Sequence, residues 1–265
     1  MKNKITTAIH SLMRRSGLDI VRYREKHTVR GSYPADFSAA NIEICDAVKP
    51  YTMTSPERVN GLIDAVRYIT ANNIPGAMVE CGVWKGGSAM AMMLTLKKLK
   101  DESRDFYLYD TYTGMSTPSD EDVSFQGDKA HDTFSKLKIS EDVSGWCLSP
   151  LEEVKQNAFS TGYNKDKIHF IKGKVEDTIP ENMPQSIAIL RLDTDWYEST
   201  KHELIHLFPL LQPNGALIID DYGHWQGARK AVDEYISDNN IRILLNRIDY
   251  SGRIGIKTER INKAG

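Results

Sequence analysis

Cysteine is scarce. Cys45, Cys81 and Cys147 are odd in number and carry no metal-type spacing, which argues against a disulfide framework and predicts a reduced, cytoplasmic setting. No apolar run is long enough to cross a bilayer, and no leader-type apolar core follows the basic start. Repeats and low-complexity tracts are absent. So is the dinucleotide fingerprint G-x-G-x-x-G, which counts against a nicotinamide-dependent oxidoreductase. Net charge is only −2, and no basic, aromatic-rich stripe marks a nucleic-acid partner.

What is present is an ordinary globular composition, 40% hydrophobic and 26% charged over 265 residues, enough for one sizeable core and a small appendage. Charge is uneven. Residues 1–30 hold eight basic side chains against two acids, a local +6, so the remainder carries −8. Within that segment Ile5, Ala8, Ile9, Leu12 and Met13 follow helical amphipathic spacing, with Gly17 placed to stop the helix. This predicts an N-terminal arm over residues 1–45 and a main domain over 46–265. Two readings of the arm stay open. It touches anionic lipid or a polyanionic glycan carrier at the inner membrane face, or it packs on the body or on another subunit of a homo-oligomer, a dimer being favoured.

The main domain alternates short apolar runs with helical patterns. "GAMVECG", "DFYLYD", "KIHFIKG", "SIAILRLD" and "GALIIDD" read as strands, and "IRILLN" with "GRIGIK" as a terminal antiparallel hairpin. Between them lie helical patterns such as "TSPERVNGLIDAVRYITANN", where Thr54 and Glu57 have capping-box spacing, and "SPLEEVKQNAFSTG", where Ser149 and Glu152 do. The expectation is an α/β fold with a mostly parallel seven-stranded sheet covered by helices on both faces. Ligands of such sheets sit beyond the carboxyl ends of the strands.

Those ends are rich in acids. Glu80 precedes the glycine turn of "VECGVWKGGSAM", where Gly82 permits close ligand approach and Ser88 opens a helix with unpaired N–H groups. An acid there favours a ligand with an ammonium group over a diphosphate. Asp110 ends the next strand, where a carboxylate can accept ribose hydroxyls, or simply serve the turn. Together these suit S-adenosylmethionine. Farther on, "LRLDTDWYEST" and "LIIDDYGHWQG" bring Asp193, Asp195, Asp220 and Asp221 to neighbouring strand ends. Carboxylates so gathered need a counter-charge. Arg191, Lys201 and Arg229 are near in sequence. Mg²⁺, with Mn²⁺ or Ca²⁺ as substitutes, is the other option, and helix caps account for some of the aspartates otherwise. Tyr197, Tyr222, His224 and Trp225 adjoin these acids and are either sugar-stacking rings or core aromatics.

The blocks "TMTSPERV", "GAMVECGVWKGGSAM", "LRLDTDWYEST" and "LIIDDYGHWQGARKAVDEY" resemble the macrocin O-methyltransferase family over residues 50–245, in order and spacing. The resemblance implies a Rossmann-like class I methyltransferase fold, S-adenosylmethionine as cofactor, and Mg²⁺-dependent methylation of a sugar hydroxyl on a bacterial glycan or glycosylated natural product. It implies that Asp193, Asp220 and Asp221 hold the ion and that Asp195 is the general base. It places Thr52, Met53, Thr54, Ser55, Glu80, Cys81, Gly82, Ser88, Asp110, Val175, Glu176 and Asp193 at cofactor-contacting positions. The segment "DTYTGMSTPSDED" departs from the family pattern and leaves the acceptor side open. A catechol-type methyltransferase shares the metal and cofactor, and a non-catalytic glycan-assembly partner is a further alternative.

Overall fold

The computed structural model describes residues 33–140 and 143–258. The chain divides into compact units at the step from Asp36 to Phe37. The expected basic helix of residues 1–30 lies outside the described residues. The expected domain boundary at residue 45 falls within helix α1 (Ala39–Val48), whose Ile44, Cys45 and Val48 are buried.

Helix α2 (Pro56–Ala71) carries Val59, Leu62, Ile63, Val66 and Ile69 at 3–4-residue spacing, so one stripe faces the core. Its cap is Ser55, which accepts the Arg58 N–H at 3.2 Å, with Pro56 at the first helical position. The expected Thr54–Glu57 box is therefore shifted by one residue, because the Thr54 hydroxyl accepts from Arg191 instead. Strand β1 (Ala77–Cys81) runs through the glycine turn into α3 (Gly87–Leu99), and β2 (Phe106–Asp110) follows. A short helix α4 (Ala130–Leu137), which the apolar pattern did not announce, precedes α5 (Leu151–Ser160). Helix α5 starts after Pro150 with no side-chain cap, and Ser149 Oγ is buried without a hydrogen-bond partner among the described residues, so its expected capping box does not form. Then come β3 (Ile168–Lys172), α6 (Val175–Thr178), β4 (Ile187–Leu192), α7 (Tyr197–Leu207), β5 (Leu211–Ile219), α8 (Gln226–Asp238), β6 (Asn246–Arg247) and β7 (Arg253–Ile256).

The seven strands form one sheet in the order β3-β2-β1-β4-β5-β7-β6. The first five are parallel, and β7 lies antiparallel to both β5 and β6. The expected strand over "IRILLN" is mostly unpaired. Ile241, Ile243 and Leu245 still pack inward, but only Asn246 and Arg247 join the ladder.

Strand alternation decides what reaches the site. Met78, Phe106, Leu108, Ile189 and Ile218 face the layer of α2, α3 and α5. Val79, Cys81, Leu190, Leu192 and Ile219 face the layer of α7 and α8. The residues in phase with the first set at the strand ends are Glu80, Arg191 and Asp220. Glu80 and Arg191 are direct register partners. A cation is thus built into the sheet beneath the acids.

Candidate active site

The carboxyl ends of β1, β2, β4 and β5 open into a cavity of about 360 Å³. Two glycines make room for it. A Cβ on Gly82, at φ +81°, would meet the Asp193 carbonyl oxygen at 1.9 Å, and one on Gly87 would meet the Tyr51 carbonyl oxygen at 2.5 Å. The first lets β1 and β4 end against each other. The second lets the Tyr51–Thr54 segment lie across the start of α3.

Arg191 supplies part of the counter-charge. Its guanidinium is 2% exposed and reaches Glu80 Oε1 at 2.7 Å, Asp193 Oδ2 at 2.6 Å, Asp220 Oδ1 at 2.6 Å and the Thr54 hydroxyl at 3.0 Å. Arg58 pairs with the other oxygen of Asp220 and lies 2.9 Å from Asp249 Oδ2 through Nε. Asp249 also accepts the Ser55 hydroxyl at 2.7 Å. Lys201 and Arg229 serve elsewhere: Lys201 donates to Tyr197 Oη at 2.7 Å, and Arg229 pairs with Asp233.

Asp193, Asp195 and Asp221 offer oxygens that all lie within 4.8 Å of one another. Asp221 Oδ2 is buried with no hydrogen-bond partner among the described residues. Burial is the main influence lifting Asp193 and Asp221 well above the usual carboxylate range. Burial, then the Asp193 charge, pushes Asp195 up to about 7. An all-oxygen cluster of half-buried and buried carboxylates on the cavity wall fits a hard divalent cation. Asp220 stands beside it but has both oxygens held by guanidinium groups.

On the cofactor side, Glu80 is buried, and burial raises its carboxyl to about 7 against the pull of Arg191. Its Oε2 has no hydrogen-bond partner among the described residues, and Glu80 lines the cavity. That free oxygen suits an ammonium donor. Asp110 accepts the N–H groups of Val83 at 2.7 Å, Trp84 at 2.9 Å and Tyr112 at 2.7 Å, so it is a turn residue as well as a cavity wall.

Most positions singled out from the sequence converge here. Thr52, Met53, Thr54, Glu80, Gly82, Ser88, Asp110, Val175, Glu176, Asp193, Asp195, Asp220 and Asp221 all line the cavity. Cys81 and Ser55 do not. The Cys81 side chain is buried in the layer beneath, and Ser55 is spent on α2 and Asp249. His224 and Trp225 line the cavity, but Tyr197 is tied to Glu234 and Tyr222 is wedged against Arg229 and Arg253. Arg58, Trp146, Cys147 and Tyr250 were not singled out, although they line it too. Trp146, Trp196 and Trp225 meet edge to face with ring centroids 5.1–6.1 Å apart, and Trp146 and Trp225 line the cavity.

The sheet order, the buried acid Glu80 near the end of β1 and the acids that follow β4 and β5 are arranged as in a class I, S-adenosylmethionine-dependent O-methyltransferase. Comparison with known proteins places it further. The chain belongs to the macrocin-O-methyltransferase (TylF) family, whose sequence profile matches residues 46–254. It is 33% identical to the 8-demethyl-8-(2,3-dimethoxy-α-L-rhamnosyl)-tetracenomycin-C 4'-O-methyltransferase of Streptomyces olivaceus, over 76% of this chain and 74% of that one. It is 31% identical to the demethyldecarbamoylnovobiocin O-methyltransferase of Streptomyces niveus, again over 76% and 74%. The solved structure of the O-methyltransferase NovP superposes with a TM-score of 0.68 at 28% identity, covering 79% of this chain and 83% of that one.

Proposed function

We propose that the protein transfers a methyl group from S-adenosylmethionine to a sugar hydroxyl of a glycosylated natural product or bacterial glycan, with a divalent ion, Mg²⁺ or Mn²⁺, at the acid cluster. The observation that carries this is the convergence of Asp193, Asp195 and Asp221 beside the free oxygen of Glu80 in one cavity. The relatives support the sugar, since the first is named as the 4'-O-methyltransferase of a rhamnosyl-bearing tetracenomycin.

Glu80 Oε2 takes the ammonium of the cofactor, and Asp110 faces its ribose. Val175 and Glu176 flank the adenine. Asp193 and Asp221 hold the ion, which when bound supplies Lewis-acid polarisation of the acceptor hydroxyl. By its place in the family pattern Asp220 would be a further ligand, although Arg191 and Arg58 hold both its oxygens here. Asp195 accepts the hydroxyl proton as that oxygen attacks the methyl carbon, a role its elevated carboxyl suits near neutral pH. Trp146 and Trp225 offer the sugar ring apolar surface. A second reading makes Asp195 a ligand in place of Asp220, and the shared 4.8 Å neighbourhood favours it.

The test is methyl transfer to a panel of deoxysugar glycosides with and without chelator. EDTA abolishes transfer and added Mg²⁺ or Mn²⁺ restores it. Full activity in excess EDTA overturns the metal, and binding of NAD in preference to S-adenosylhomocysteine by calorimetry overturns the class.

A further inference from the structure

Glu203 sits in the middle of α7 and is fully buried. Helical side chains lean toward their own N-terminus, and Glu203 reaches back to the turn that precedes α7. Its Oε1 accepts the Thr194 hydroxyl at 2.9 Å. Thr194 is the residue between Asp193 and Asp195. Beside the carboxyl lies the Cys81 thiol, at the end of β1. One side chain thus touches the two strand ends that carry the site, and it does not line the cavity.

The turn it grips needs holding. Asp195 has φ +69°, a left-handed conformation uncommon for a residue with a Cβ. Asp193 is fixed at one end by its N–H on the Cys81 carbonyl at 2.8 Å and by Arg191. Trp196 is fixed at the other by its N–H on the Thr194 carbonyl at 2.8 Å and by its indole N–H on the Ser116 carbonyl at 3.0 Å. Between these points the Thr194 hydroxyl has Glu203 as its acceptor.

We propose that Glu203 is a positioning residue for the ion-binding turn: through Thr194 it sets the directions in which Asp193 and Asp195 leave the backbone, and so brings their oxygens onto Asp221. This rests on the reading of that cluster as a divalent-ion site. What the hold requires is an acceptor at Oε1, which an amide oxygen supplies equally well.

The test compares Thr194→Val, Glu203→Leu and Glu203→Gln with wild type. Mn²⁺ affinity is read by electron paramagnetic resonance of the free ion, S-adenosylhomocysteine affinity by calorimetry, and amide hydrogen exchange of residues 192–197 in metal-free protein. Thr194→Val keeps the side-chain shape, so it folds even if Glu203→Leu does not. It weakens Mn²⁺ binding about tenfold, the scale of a lost hydrogen bond that orphans a buried partner. It speeds exchange at Trp196 by a similar factor and leaves S-adenosylhomocysteine affinity within about twofold. Glu203→Gln behaves as wild type in all three. Unchanged exchange and unchanged Mn²⁺ affinity in Thr194→Val overturn the proposal, as does a loss of S-adenosylhomocysteine affinity equal to the loss for Mn²⁺, the mark of general loosening. If wild type binds no Mn²⁺, the metal reading fails, and the exchange comparison alone decides the role of Glu203.

Discussion

At the scale of single residues, Asp193 and Asp195 are one position apart yet keep different company. Burial raises both carboxyls, but Asp193 has Arg191 at 2.6 Å to offset it, whereas the next influence on Asp195 is the Asp193 charge, which raises it further. The first is neutralised in place; the second is poised to take a proton. Asp195→Asn keeps the shape and removes that capacity, so kcat falls by about 10²–10⁴ with Mg²⁺ requirement and S-adenosylhomocysteine affinity intact. Asp193→Ala leaves Arg191 short of a partner and raises the Mg²⁺ requirement. Mg²⁺ titration of both variants under saturating cofactor separates them. A raised Mg²⁺ requirement with normal kcat in Asp195→Asn makes Asp195 a ligand. The acids were legible because each ends an apolar run. Arg191 was legible only as a nearby cation, since its place under the cluster depends on the register of β1 against β4. Arg58 and Asp249 were not legible as a pair, because the chain between them had to fold first.

At the scale of elements, the segment after β2 is stapled rather than loose. Asp122 is buried. One oxygen accepts the Tyr197 N–H at 2.8 Å, capping α7, and the other accepts the Ser119 N–H at 2.7 Å and its hydroxyl at 2.9 Å. Gly227 on α8 leaves space for it, since a Cβ there would lie 2.1 Å from Asp122 Oδ1. Asp122→Ala strands three donors and costs about 2 kcal/mol. A melting temperature lower by roughly 4–8 °C, measured by calorimetry, is the expected result. Nothing in "STPSDEDVSFQG" distinguishes this aspartate from its acidic neighbours, because the cap it makes belongs to a helix 75 residues away. The strands were legible since burial on both faces demands unbroken apolar runs. The weak pairing of "IRILLN" was not, because alternation reports which side faces the core and says nothing of hydrogen-bond partners.

At the scale of the whole molecule, buried acids tie stability to pH. Burial holds Glu80 up to about 7 and lifts Glu203 well above the usual range. Both carboxyls keep their protons more tightly folded than unfolded. Their contribution is therefore complete below the unfolded value, near 4.5, and fades as pH rises toward the folded one. Each group withdraws roughly 1.4 kcal/mol per pH unit across that interval. Metal-free protein melts at a lower temperature at pH 8 than at pH 5.5, and Glu203→Gln flattens the slope; a melting temperature independent of pH in wild type refutes it.

The hairpin at the end of the described chain carries a consequence for biosynthesis. The Ser251 hydroxyl donates to the Asp220 carbonyl at 2.7 Å, the Gly223 N–H donates to the Ser251 carbonyl at 2.9 Å, and Asp249 holds Arg58 and Ser55. On a ribosome, α2 and the acids of β4 and β5 emerge before Asp249 does. Until β7 slides in beside β5, Arg58 has Asp220 alone, and the wall containing Tyr250 does not exist. A nascent chain therefore carries an unfinished cavity, which closes only when β7 is in place.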